Sequence, residues 1–182
     1  VPSGLPKSID AVEYMTLYNE QTMHNVNGGH ISFTDEDFAP YLNGTAKSTN
    51  WYDAVIKSSA AQQQHNLNAS GGNEKLNYFF SLGYTSQDGI FKSNDLTYKR
   101  YNVRSDITAK ITDNLSVELN MTGIMDQKDQ PYSDAWWIIR SFWRQLPTQT
   151  VYANNNPDYL NNGLVDGTNP VALSNSDIVG YK

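Results

Sequence analysis

Between residues 76 and 121 the chain alternates apolar and polar side chains at period two, and this pattern limits the fold more than any other feature. Leu76, Tyr78, Phe80, Leu82 and Tyr84 stand against Asn77, Phe79, Ser81, Gly83 and Thr85. Tyr101, Val103, Ile107, Ala109 and Ile111 alternate with Arg100, Asn102, Arg104, Asp106, Thr108 and Lys110. Leu115, Val117, Leu119 and Met121 follow, set against Ser116, Glu118, Asn120 and Thr122. Successive side chains of a strand point to opposite faces, so this spacing describes a sheet with one apolar and one polar face.

The alternation predicts four strands, at about 65–71, 75–87, 98–112 and 115–126. "GGNE" and "TDN" are tight hairpin turns, built from residues that tolerate positive φ. The connection 88–97, "DGIFKSNDLT", is longer, and everything after Gln127 is longer still. Short and long connections therefore fall at opposite ends of the strands. The expected fold class is mainly β with loop helices, an antiparallel meander.

Strands of more than ten residues are long against the roughly 5–6 residues usual in globular proteins. They match the roughly 9–11 tilted residues that cross a bilayer. Their apolar faces are aliphatic in the middle, with Tyr and Phe toward the ends, as in a lipid-facing band between aromatic girdles. The opposite faces carry Arg100, Arg104, Asp106, Lys110 and Glu118, which suit a hydrated lumen. A soluble antiparallel sheet with one wet face, packed on a second sheet or a helix, satisfies the same alternation. The pattern alone leaves both readings open.

Composition favours strands and loops over a packed helical core. Of 182 residues, 38% are hydrophobic and only 18% charged, with Asn, Ser, Thr, Gln and Gly making up much of the rest. A net charge of −6 argues against a phosphate-binding surface, and nucleic acid is not an expected partner. The lack of cysteine excludes disulfides and thiolate metal sites. No apolar run approaches the roughly 18 residues of a membrane-spanning helix. "VPSGLPKS" lacks the basic and apolar regions of a signal peptide, and "NPVALSNSDIVGYK" stops where a strand could begin. The chain is therefore expected to be a piece of something larger.

Residues 1–64 read as loop with short helices. A helix is predicted from Ile9 to about Thr22, with Asp10 as N-cap and Glu13 completing a capping box; Ala11, Met15 and Tyr18 form its stripe. "NVNGGH" ends it. A second helix is predicted from Thr34, with Asp35, Glu36 and Asp37 at its positive end, and a third over "NWYDAVIKSSA", capped by Asn50. Residues 65–126 hold the strands. Residues 127–182 return to loop around one helix, "SDAWWIIRSFWRQLP", capped by Ser133 or Asp134 and stopped by Pro147.

Nothing in the chain announces catalysis. Nucleophile-elbow, zinc-helix and phosphate-loop motifs are absent, and no acid/base carboxylate pair marks a glycoside hydrolase. His24, His30 and His65 lack ligand spacing, and Asp35, Glu36 and Asp37 are more simply a helix start. No metal and no cofactor are expected. Of the Asn-x-Ser/Thr matches at Asn43, Asn68, Asn114 and Asn120, the last three sit in or beside strands and read as chance. In the aromatic helix, Trp136 and Trp143 are expected to lie on the buried stripe with Ile139 and Leu146. Trp137, off that stripe, and the loop tyrosines Tyr152 and Tyr159 are the candidate contacts for a ligand or partner. Arg100, Arg104, Asp106 and Glu118 are the lumen-facing candidates, more in keeping with a salt-bridge network than with direct substrate contact.

The segment "HNLNASGGNEKLNYFFSLGYTSQDGIFKSNDLTYKRYNVRSDITAKITDNLSVELNMTG" resembles the early barrel of SusC/RagA-type TonB-dependent outer-membrane transporters. The shared pattern is an H-N-L-x-x-S-G-G turn at His65 to Gly72, then Y-F-x-S-x-G-Y at Tyr78 to Tyr84. A Q-x-G-I loop at Gln87 to Ile90 and K-R-Y-N-x-R at Lys99 to Arg104 complete it. "SIDAVEYMTLYNE" and "NWYDAVIKSSAAQQQHN" are similar to the family's first extracellular loop, and "LPTQTVYANNNPDYLNNG" with "NPVAL" to a later one. The resemblance implies part of a transmembrane β-barrel in the bacterial outer membrane, with its apolar face toward lipid. It also implies import of oligosaccharides or peptides without covalent chemistry. The implied partners are a SusD-type surface lipoprotein and TonB, acting through a plug that lies outside this chain. The rival reading is a soluble extracellular β-rich carbohydrate-binding module.

Overall fold

The computed structural model describes residues 7–175, so the expected strand near "DIVGYK" and the start of "VPSGLPKS" lie outside the described residues. The chain divides into two compact units.

One unit, formed by 59–90 and 94–130, is the sheet. Its strands are β1 (Gln62–Gly72), β2 (Leu76–Asp88), β3 (Thr97–Thr112) and β4 (Leu115–Asp129). They pair antiparallel in the order β1-β2-β3-β4, a meander that is not closed into a barrel. The turn after β1 is organised by Asn73, whose Oδ1 accepts from the amides of Lys75 and Leu76, each at 2.9 Å. The β3–β4 turn slips register between Lys110 and Thr112, which leaves Ile111 as the extra residue of a bulge. Across β1–β2, Tyr78 stands opposite Gly71, where a Cβ would come within 2.5 Å of the phenol oxygen. The glycine there makes room for the ring. Among the described strand residues only Gly83 is buried, so the sheet has no enclosed core of its own.

The other unit gathers the stretches before Ser59 and after Gln130 together with Phe91–Ser93. Its helices are α1 (Ala11–Met23), α2 (Asp35–Leu42), α3 (Trp51–Val55), α4 (Ala135–Arg144) and α5 (Pro170–Leu173). The Asp10 carboxylate caps α1 by accepting from Glu13 N–H at 2.8 Å. The reciprocal exchange of a capping box occurs instead at α2, where Asp37 Oδ2 accepts from the Thr34 amide at 2.7 Å. Ala11 and Met15 are buried as the stripe predicts, while Tyr18 stays at the margin with its ring 5.5 Å from that of Phe33.

The third helix is shorter than its sequence suggests. Ile56 turns extended and bridges Phe91, whose neighbour Lys92 donates its amide to Val55 O at 2.8 Å. That pairing captures the chain before the helix can continue through "KSSA". Phe91, at 1% exposure, completes the core of this unit with Met15, Trp51, Val55, Ile138, Phe142 and Leu164. The two long stretches are tied by Trp51 Nε1 donating to Leu146 O at 2.9 Å, Thr49 N to Pro147 O at 2.9 Å and Tyr41 Oη to Thr148 O at 3.2 Å.

The buried face of α4 differs from the expected stripe. Ile138, Ser141, Phe142 and Gln145 point inward, whereas Trp136 and Trp143 are 60% and 65% exposed. The neighbours decide this. Phe142 meets the edge of Tyr52 at 5.9 Å, and the Gln145 amide is held by backbone at Val165 and Thr168. An indole cannot replace a primary amide in that exchange.

Candidate functional site

The strand register sorts the sheet into a largely apolar and a largely polar face. On the apolar face lie Leu76, Tyr78, Phe80 and Leu82 of β2, Val103 and Ile107 of β3, and Val117 and Leu119 of β4. These side chains are exposed, with Leu76 at 41%, Phe80 at 37%, Val117 at 50% and Leu119 at 49%. The apolar rows end at His65, Tyr84 and Tyr101, three rings on adjacent strands. His65 stacks on Tyr84 with centroids 6.3 Å apart, and Tyr84 tilts against Tyr101 at 5.0 Å. Past this aromatic row the same face turns polar, with Gln63, Ser86, Lys99 and Gln127 in line.

The opposite face carries every lumen-facing candidate. Arg100 lies directly across from Asp126 and pairs with it at 3.6 Å, while Tyr98 Oη donates to the same carboxylate at 2.8 Å. Arg104 reaches along its own strand to Asp106 at 2.8 Å. Glu118 accepts from Asn120 Nδ2 at 3.1 Å. The four residues thus share a face, but they form separate local pairs rather than one network. Phe79 and Ile124 interrupt the polarity of this face.

The loop candidates lie in the helical unit. Trp137 is 55% exposed on α4, its ring meeting that of Trp136 edge-on at 5.1 Å. The Arg140 guanidinium stands over both, 5.4 Å from the Trp136 centroid and 5.0 Å from that of Trp137. Tyr152 bridges Leu160, closing a short loop that carries Tyr159 near its end, 65% exposed. A cleft of about 470 Å³ lies among Tyr14, Trp51, Tyr52, Phe142 and Trp143. Burial, with a smaller contribution from Tyr18, raises the Tyr14 phenol above its ordinary pKa. Among the described residues no three His, Cys, Asp or Glu side chains come together as a metal site.

Sequence reasoning missed the amides that hold these loops. Asn169 Nδ2 donates to Val151 O at 2.8 Å and to Asn161 O at 3.1 Å, while its Oδ1 accepts from Val171 N at 3.0 Å. Asn19 does the same for the 32–33 turn, accepting from Ser32 N and Phe33 N and donating to Phe33 O. The Asn-Pro step at 169–170 was the readable signal, since Asn caps and Pro opens a helix.

No family model matches the chain. Among curated proteins, TonB-dependent receptor P3 of Formosa agariphila is 27% identical over 183 residues, covering 92% of this chain and 18% of the relative. TonB-dependent receptor SusC of Bacteroides thetaiotaomicron is 29% identical over 136 residues, covering 74% of this chain and 13% of the relative. TonB-dependent receptor P26 of Formosa agariphila is 25% identical over 172 residues, with coverage of 92% and 16%. The chain spans between 13% and 18% of the length of these relatives. The motifs around the hairpins and the matches over most of the chain agree: it is a distant homologue of the SusC-type TonB-dependent receptors.

Proposed function

We propose that residues 65–126 form a stretch of the wall of an outer-membrane β-barrel in a SusC-type import receptor. The flanking segments, 1–64 and 127–182, are then extracellular loops. The observation that carries this reading is a sheet whose faces are largely sorted, whose apolar face is open, and whose β1 and β4 both stand at its edges. From the Leu76 row to the Tyr84 row the apolar band runs nine residues, whose eight rises span about 27 Å along the strands. Tilts of roughly 35–45° reduce that to about 19–22 Å, close to the roughly 25 Å apolar band of such barrels. A soluble carbohydrate-binding module would instead cover those side chains.

In this reading Arg100, Arg104, Asp106 and Glu118 face the hydrated lumen, and Trp137, Tyr152 and Tyr159 offer contacts in the loops. The receptor imports oligosaccharides or peptides under a SusD-type lipoprotein, with TonB acting through a plug outside this chain, and performs no covalent chemistry.

The test is single-cysteine labelling of the full-length receptor in outer membranes, at Leu82, Val103 and Leu119 against Arg104 and Asn120. The chain contributes no cysteine background. The first three are expected to react with a lipid-soluble maleimide and resist a charged one, and the last two to show the reverse. Ready reaction of Leu82→Cys and Val103→Cys with the charged reagent would overturn the assignment.

A further inference from the structure

The cleft of about 470 Å³ in the helical unit is lined largely by rings. Trp51 and Phe142 are buried in its lining, while Trp143 is exposed. Phe142 meets Tyr52 edge-on at 5.9 Å and Trp143 at 6.1 Å. Within this aromatic setting Tyr52 Oη is buried and has no hydrogen-bond partner among the described residues. It is the only buried side-chain donor or acceptor left in that state among them. A phenol taken out of water ordinarily finds an acceptor, and an unpaired one is unfavourable for the free fold. An acceptor brought by a ligand removes that disadvantage.

Two other polar groups of the lining are already committed inside the fold. Trp51 Nε1 donates to Leu146 O at 2.9 Å. Gln145 gives its Nε2 to Val165 O and Thr168 O, and its Oε1 accepts from Val165 N. A pyranose carries hydroxyls around its ring and needs several such partners at once. A prolyl residue does not: its ring presents only C–H, its nitrogen has no hydrogen, and its tertiary amide offers a carbonyl as the acceptor. One phenol O–H satisfies that carbonyl while the surrounding rings take the pyrrolidine. Polyproline II segments enter aromatic-lined grooves in this way, with little conformational entropy left to lose.

We propose that this cleft binds a proline-rich peptide, with Tyr52 Oη donating to a prolyl amide carbonyl and Trp143 covering the pyrrolidine ring. The assignment rests on the reading of 1–64 and 127–182 as loops of an import receptor and narrows its substrate class to prolyl peptides.

The experiment is calorimetric titration of the purified full-length receptor with an end-capped hexaproline peptide, beside an end-capped Gly-Ser hexapeptide and maltohexaose. Hexaproline is expected to bind and the two controls not. Tyr52→Phe and Trp143→Ala should each weaken binding by about twofold to tenfold, the range for one neutral hydrogen bond or one ring contact. Tyr52→Phe should also leave the thermal midpoint of the peptide-free receptor unchanged or raised, because it deletes a polar atom that has no partner there. A hydroxyl already paired in the free protein would lower that midpoint instead. Four outcomes overturn the proposal: hexaproline does not bind, a control binds as tightly, either variant binds as wild type does, or Tyr52→Phe lowers the midpoint. Cysteine labelling on the same preparation keeps the two readings apart. A correctly inserted barrel without Tyr52-dependent hexaproline binding sinks only this inference, whereas lumen-facing residues labelled as lipid-facing sink the barrel reading.

Discussion

Ile138 and Trp143 sit on one short helix, yet Ile138 is fully buried and Trp143 is 65% exposed. A stripe chosen by side-chain size selects the tryptophans; the surface that α4 meets selects Ile138, Ser141, Phe142 and Gln145. That surface is made by residues far along the chain, at Tyr52, Val165 and Thr168, so a local reading of the helix could not see it. Phe91 is the same lesson in a loop: nothing in "DGIFKSNDLT" marks it as core, but its bridge to Ile56 puts it at 1% exposure. Phe91→Ala should therefore lower the stability of the helical unit by about 3–5 kcal/mol, measured by chemical denaturation with Trp fluorescence. Trp143→Ala should stay within roughly 0.5 kcal/mol, as exposed substitutions usually do. In the sheet, Val117→Arg places a cation on the apolar face. In bilayers it should cost about 2–4 kcal/mol if the site lies at the midplane, and wild-type folding stability of that variant would refute a lipid-facing Val117.

The strands were the most legible elements, because period two survives whatever packs against a sheet, and their order, turns and faces follow the pattern. Their ends moved by up to three residues, as at β1 and β4, where polar Gln and Asp residues extend the pairing without an apolar signature. The helices were legible at their starts, where Asp10, Asn50 and Asp134 cap as expected, and less so at their ends. Asp134→Ala removes the acceptor for Trp136 N at 2.8 Å and should destabilise the helical unit by about 0.5–2 kcal/mol. The ion pairs behave differently from the caps. Arg104 and Asp106 are close, but the Arg104 side chain is 61% exposed. A double-mutant cycle on this pair should give a coupling below about 1 kcal/mol, smaller still at high salt. A coupling of several kcal/mol would mean that the pair is enclosed in the whole receptor.

At the scale of the whole chain, two features favour association over a lone molecule in water. β1 and β4 each present an unpaired edge that invites another strand, and the apolar face between them is bare. The isolated 182-residue chain should associate or bind detergent micelles, and light scattering that shows a monodisperse monomer in plain buffer would contradict the barrel-wall reading. The long-range ties in the helical unit carry a further consequence. Trp51 bonds Leu146 across 95 residues and Tyr41 bonds Thr148 across 107. Closing a flexible loop of that length costs about 4 kcal/mol in chain entropy. Four antiparallel strands remove most of that cost, because the start of β1 and the end of β4 are then only three strand spacings apart, about 14 Å. Strand pairing thus raises the effective concentration of one half of the helical unit around the other, so that unit is expected to close after the four strands have found their register.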